Sequence, residues 1–166
     1  MAKKIRNKID KKKRNINIIG LVIIIIVLFV IVIYQRIEND EEAYESDNVC
    51  IKDNCFEVEV VKTPKDRERG LMFRESLDNN AGMLFIFEQS GNYPFWMKNT
   101  LIPLDIIWID EKKEVVFIGE NIQPCIADPC PSYNPSALVL YVLEINAGKA
   151  EEIGLEVGDK LEFNLR

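Results

Sequence analysis

A single transmembrane helix followed by a compact, mixed β-rich (α+β) barrel-like domain with two short helices is the fold class that this sequence predicts. Three observations predict it. An almost unbroken apolar run extends from Ile16 to Tyr34, and many short apolar, aromatic or β-branched runs separated by turn residues fill the C-terminal two thirds of the chain. Only two segments in that later part carry helix start and stop signals.

The nineteen residues of the apolar run, at about 1.5 Å each, make a helix of roughly 28 Å, close to the approximately 30 Å hydrocarbon core of a bilayer. Eight of the first fourteen residues are Lys or Arg, whereas Glu38, Asp40, Glu41, Glu42, Glu45 and Asp47 lie beyond the run. The basic end should therefore stay in the cytoplasm and the rest lie outside it. The run exits through Tyr34-Gln35-Arg36-Ile37-Glu38, with no Ala-x-Ala cutting site and no nearby Cys to accept a lipid. It reads as an uncleaved anchor rather than a signal peptide. A buried soluble helix would need a polar face, and only Gly20 interrupts the apolarity between Ile18 and Ile33. The chain thus divides into a basic cytoplasmic tail at 1–15, a transmembrane helix at 16–36, an acidic linker at 37–48 and an extracytoplasmic domain at 49–166.

Within that domain, Phe56-Glu57-Val58-Glu59-Val60-Val61 alternates apolar and polar residues, the pattern of a half-buried strand. Thr63 can then cap a helix, Pro64 suits its first position, Asp66 falls three residues after the cap and Gly70 can stop it. Met72 and Phe73 are expected to re-enter the core. Met83 to Phe87, Phe95 to Met97, Asp105 to Ile109, Val115 to Ile118 and Leu138 to Ile145 read as strands, with Asp110-Glu111-Lys112-Lys113 closing a hairpin. A second short helix fits Ala147 to Ile153 before Gly154, and Lys160 to Leu165 forms a last strand. Asn121 to Ser136, with four prolines, is the least regular stretch. Such spacing favours a rolled sheet over a βαβ fold.

Charge narrows the partners. The first fifteen residues carry eight basic groups against Asp10, a charge of +7, so the remainder carries −13 of the total −6. An acidic domain repels phosphate backbones and anionic headgroups, which argues against nucleic acid and against peripheral lipid binding through the domain. The basic tail is a topology signal and inner-leaflet contact. The partners expected are the membrane, through the anchor, and a small ligand or envelope protein.

All four cysteines, Cys50, Cys55, Cys125 and Cys130, lie in the exported part. Outside the cytoplasm an even count reads as disulfides, and local pairing of Cys50 with Cys55 and Cys125 with Cys130 is the expectation. A four-thiolate zinc site is the rival, since each pair has four intervening residues. No histidine occurs anywhere, which removes Ser-His-Asp and Cys-His catalysis and His-ligated metals. No cofactor is implied.

The remaining candidates for chemistry are charged and polar residues set between apolar runs. Arg69, Arg74, Asp105 and Glu144 join a donor-rich turn, Lys98-Asn99-Thr100, that comes directly after the aromatic strand holding Trp96. An aromatic wall beside a cationic, amide and hydroxyl turn suits an anionic or richly hydroxylated ligand. Lys98 paired with Asp105 or Glu144 as an acid/base couple is the enzymatic alternative, and an ion pair that merely closes the barrel is the structural one. Met72, Met83 and Met97 beside Trp96 form a weaker candidate for Cu(I), because methionine is also an ordinary core filler.

Seven blocks occur in order: Arg69-Gly70-Leu71-Met72-Phe73-Arg74, Gly82-Met83-Leu84-Phe85, Phe95 to Thr100, Ile102-Pro103-Leu104-Asp105, Pro124-Cys125 with Asp128-Pro129-Cys130-Pro131, Leu143 to Gly148, and Val157-Gly158-Asp159. Together they closely resemble the domain of unknown function 192 family. The resemblance covers about residues 55 to 165 and implies a small β-rich domain, often secreted or membrane-anchored in bacteria and archaea, with no established activity. It supplies no catalytic residues. The resulting expectation is a membrane-anchored binding or interaction module of the cell envelope rather than an enzyme.

Overall fold

The computed structural model describes residues 25–31 and 46–166. The chain divides into two compact units, Met1–Glu45 and Ser46–Arg166. In the first, residues 25–31 are helical and their apolar side chains are exposed. The predicted basic tail, the rest of the predicted span 16–36 and the linker as far as residue 45 lie outside the described residues. Among the described residues no helix is long and apolar enough to cross a membrane.

The second unit is a β-rich half-barrel with two short helices. Its elements are β1 (Asn48–Ile51), β2 (Asn54–Val61), α1 (Pro64–Arg69), β3 (Ala81–Gly91), β4 (Phe95–Trp96), β5 (Leu104–Ile109), β6 (Val115–Ile122), β7 (Ser132–Tyr133), β8 (Val139–Asn146), α2 (Lys149–Glu152) and β9 (Leu161–Asn164). Seven strands form one sheet in the order β6-β5-β8-β3-β2-β1-β9, and β4 pairs with β7 in a separate ribbon. The outermost strands meet at one end: Glu114 bridges Lys160, and the Leu161 N–H donates to the Lys113 carbonyl at 2.9 Å. That contact rolls the sheet into a partly closed barrel.

Local chemistry explains the punctuation. Thr63 caps α1 by accepting from the Asp66 N–H, Pro64 occupies the first turn, and Gly70, at φ +45°, returns its N–H to the Asp66 carbonyl. Only glycine takes such a φ without cost, so the helix stops there. Because α1 lies in the crossover, β2 and β3 run parallel while every other pair in the sheet is antiparallel. One βαβ unit is therefore built into the roll, where the strand spacing predicts none. Gly82 in β3 faces β8 so closely that a Cβ would come within 2.8 Å of the Glu144 carbonyl.

Two cores result, one on each face of the sheet. Leu84, Ile107, Ile109, Leu143, Ile145, Val49 and Ile51 fill the inside of the roll beneath α2 and β9. Phe85, Ile106, Trp108, Val142, Met83 and Met97 form the second core, under the α1 crossover and the β4–β7 ribbon. Each fully buried large side chain contributes roughly 1.5–3 kcal/mol. Leu71, not Met72 or Phe73, is the residue after α1 that enters this core. Phe73 takes a left-handed φ of 63° and is 66% exposed, because its backbone N–H is tied outward to the Asn99 carbonyl at 2.8 Å.

Both expected disulfides are formed. Cys50–Cys55 staples the β1–β2 hairpin across a directly opposed pair, and Cys125–Cys130 closes a loop in the irregular stretch. All four sulfurs are thereby used, so the tetrathiolate zinc alternative does not hold for this structure.

Candidate functional site

Residue alternation decides which charged groups meet. On β8, Glu144 lies opposite Met83 of β3 and Ile106 of β5, so its side chain belongs to the second core's face. Asp105 lies opposite Ile145 and belongs to the other face. Neighbouring side chains on a strand point to opposite faces, so the sheet itself separates the two carboxylates. Asp105 is wholly buried and accepts from the Asn121 N–H at 2.7 Å and the Ala150 N–H at 2.8 Å, tying β6 and α2 to β5. The supposed Lys98–Asp105 pair is thus corrected: Asp105 is an architectural acceptor.

Arg74 is a second correction. Its guanidinium makes a two-pronged bond to Glu59, both contacts at 2.5 Å, and the bond to Arg74 holds the Glu59 carboxyl below its usual range. It braces the surface away from the cleft.

The cleft forms where α1 and its Gly70 turn, the segment Tyr93 to Trp96, and the end of β8 converge. It has a volume of about 230 Å³. Phe85, Phe87 and Phe95 supply aromatic walls: Phe87 stacks on Tyr93, and Phe95 meets Phe85 edge-on at 4.9 Å between centroids. The Trp108 indole N–H fixes the segment by donating to the Tyr93 carbonyl at 2.9 Å. Arg67 closes one side, its guanidinium 4.8 Å above the Phe87 ring.

Polar groups occupy the floor and the rim. Glu144 is 5% exposed and Thr100 is 6% exposed, and both line the cleft. Among the described residues neither side chain has a hydrogen-bond or ion-pair partner. No fully enclosed side-chain nitrogen or oxygen among those residues lacks a partner, so the open atoms of these two face the cleft rather than the packed core. Burial pushes the Glu144 carboxyl up to about 8, so it is mostly protonated at neutral pH and can both donate and accept. Both side chains thus keep polar atoms accessible from the cleft. At the rim, Lys98 lies 5.2 Å over the Trp96 ring, and Arg69 is exposed and unpaired among the described residues.

The turn predicted to carry the site is real. The Thr100 N–H closes onto the Met97 carbonyl at 3.2 Å, which puts Lys98 and Asn99 at the corner, Asn99 at φ +56°. Asparagine tolerates that conformation better than most residues. An adjoining groove is lined by Lys65 and Asn99 and, shared with the cleft, by Glu68, Arg69, Met72, Trp96 and Lys98. Of the sequence candidates, then, Arg69, Trp96, Lys98, Thr100 and Glu144 converge, Asn99 sits beside them, and Arg74 and Asp105 do not join them. Met83 and Met97 are core side chains, while Met72 lines the cleft wall with its sulfur 3.8 Å from the Asn99 amide. The three thioethers therefore serve two different surroundings. Sequence reasoning missed Phe85, Phe87 and Tyr93 as cleft residues, since an aromatic in a strand run carries no mark of which face it lines.

A family model described as "Uncharacterized ACR" (DUF192) matches residues 48–163. Among solved structures, a protein of unknown function from Novosphingobium aromaticivorans DSM 12444 is 35% identical, with a TM-score of 0.64 over 70% of this chain and 82% of that one. A putative transcription regulator from Sinorhizobium meliloti 1021 is 33% identical, with a TM-score of 0.64 over 70% of this chain and 91% of that one. No curated protein matches.

Proposed function

The chain belongs to the DUF192 family, and from that premise we propose that it is a membrane-anchored module whose extracytoplasmic half-barrel binds a small ligand in the Glu144 cleft. One observation carries the reading: Glu144 and Thr100, both largely buried, turn polar atoms into an aromatic cleft with no partner among the described residues, and the cleft's rim holds cations without an ion pair among those residues. Their open atoms face the cleft, where a bound molecule can take up their hydrogen bonds.

The anchor and the outward placement rest on the basic tail, the long apolar run and the acidic flank, supported by the exposed apolar side chains of residues 25–31. The name of the Sinorhizobium protein describes that protein. Here the charge of −13 beyond residue 15 opposes binding to a phosphate backbone.

A second reading has its own observation in favour. A carboxyl protonated near neutrality in the same cleft as Lys98 suits a general acid, but the two form no ion pair within the described structure. Binding needs fewer parts and stands first.

The test is a thermal-shift screen of small anionic and hydroxylated compounds on the full-length chain, with tryptophan fluorescence on the hits. Trp96 lines the cleft and Trp108 is buried, so a cleft ligand should perturb emission in the native protein and not in Trp96→Phe. Hits whose signal survives that substitution, or a screen without hits, would remove the cleft from consideration.

A further inference from the structure

The number and placement of polar groups in the cleft restrict what can fill it. Its walls come from Leu71, Met72, Phe85, Phe87, Phe95 and Trp96, while its buried polar side chains are Glu144 and Thr100. A sugar carries hydroxyls around its whole ring. Two floor groups could satisfy only part of that set, and each hydroxyl left dry against an aromatic wall would cost about 1–3 kcal/mol. The body of the ligand must therefore be apolar.

Its ends must differ from its body. The floor offers a neutral carboxyl and a hydroxyl, both able to donate and accept, which match a single hydroxyl group. The rim offers Arg69 and Lys98, neither in an ion pair among the described residues, and Lys65 stands in the adjoining groove. Glu68 is the one carboxylate at that rim, and Arg67, Arg69 and Lys98 outnumber it, so in a domain that is acidic overall the rim matches an anion. The cleft's volume of about 230 Å³ lies just below the range of roughly 300–1,000 Å³ usual for drug-sized ligands, which suits one ring with short substituents.

We propose, on the basis of the ligand-binding reading, that the cleft takes a small ring-bearing carboxylic acid with a hydroxyl at the end remote from its carboxylate. The hydroxyl lies between Glu144 and Thr100, the ring lies against the aromatic walls, and the carboxylate meets Arg69 and Lys98 at the rim. The charged and titratable groups around Glu144 are few. Its neighbours on β3 and β5 are Met83 and Ile106, α1 brings Arg67, Glu68 and Arg69, and the segments on either side of β4 bring Tyr93 and Lys98. Ionising Glu144 would put a negative charge in the same cleft as the ligand's and remove the only proton its carboxyl can donate.

The experiment titrates the full-length protein in detergent with four probes: para-hydroxybenzoate, benzoate, para-hydroxybenzyl alcohol and glucuronate. Para-hydroxybenzoate should bind tightest, and removing either the hydroxyl or the carboxylate should weaken binding about tenfold. Glucuronate should bind weakest. Lys98→Ala should weaken the acid severalfold and leave the neutral alcohol unchanged. Raising the pH from about 6 to about 9 should weaken the acid about tenfold in the native protein. Glu144→Gln, which meets the same titration of the ligand itself, should show a much smaller step.

Glucuronate binding as tightly as the aromatic acid would overturn the apolar body. Equal affinity for the alcohol would overturn the anion, and equal affinity for benzoate the floor contact. If all four fail while a different class of compound perturbs Trp96, the ligand class is wrong and the binding site stands. If nothing of any class perturbs Trp96, both readings fall.

Discussion

Asp105 uses both carboxylate oxygens on backbone N–H groups while wholly buried, and Lys98 stands exposed over an indole ring. The two residues should therefore answer substitution in opposite ways. Asp105→Ala strands two donors and should destabilise by about 3 kcal/mol or more, at about 1–3 kcal/mol for each unsatisfied group. Lys98→Ala loses one exposed cation–π contact worth about 0.5–1 kcal/mol, and should melt near the native temperature while binding its ligand less well. Urea unfolding and ligand titration on both variants separate the roles. Equal losses of stability would make Lys98 architecture.

Glu144 carries a pH signature of its own. Its folded carboxyl is raised to about 8 from the ordinary value of 4.5, so between those values the folded state holds a proton that the unfolded state has released. Stability from this group is complete below the unfolded pKa and is lost as pH rises through the folded one, about 5 kcal/mol in all. Glu144→Gln should abolish that slope. Unfolding curves at about pH 5 and about pH 8.5 will show it, and a native protein equally stable at both, once other groups are accounted for with the variant, would contradict the burial argument.

At the scale of elements, the two disulfides close loops of the same length in different places. Each should contribute about 2 kcal/mol by restricting the unfolded chain. Cys125–Cys130 also sits against the site, because Cys125 pairs with Lys98 and donates its N–H to the Met97 carbonyl at 3.3 Å. Replacing both of its cysteines by serine should cost ligand affinity as well as stability, whereas the same change at Cys50 and Cys55 should cost stability alone. Melting curves and titrations of the two double variants test the difference.

How far the elements can be read from sequence depends on the same local physics. Alternation in Phe56 to Val61, the Thr63-Pro64-Asp66 cap and the polar hairpin at Asp110 to Lys113 are short-range signals, and each element lies where its signal stands. Strand β1 is missed because Asn48–Ile51 is only four residues long and comes after an acidic stretch; its pairing with β2 and β9 makes it a strand. The five convergent site residues are legible as polar groups beside aromatics. The sidedness of Asp105 is not, since it depends on the register of β5 against β8.

For the whole molecule, the reading with most at stake is orientation. A protease-accessible tag placed after Arg166 should be cut from outside intact cells, given the eight basic residues ahead of the apolar run and the acidic ones behind it. Cleavage only after the cells are opened would reverse the localisation and remove the compartment argument for the disulfides.

The sheet order has a consequence in time rather than in space. Strand β9, the last of the described strands in chain order, pairs with β1, the first of them, from Asn48 opposite Asn164 to Ile51 opposite Leu161, and it also brings the roll to its closing bridge at Glu114. Until β9 has emerged, β1 has one unpaired edge and the inner core lacks Leu161. Such long-range pairing is slow to form, and an open edge meanwhile invites another chain. The nascent domain thus passes through a window of vulnerability whose length is set by the distance from first strand to last, and a chain stopped a few residues short would never leave it.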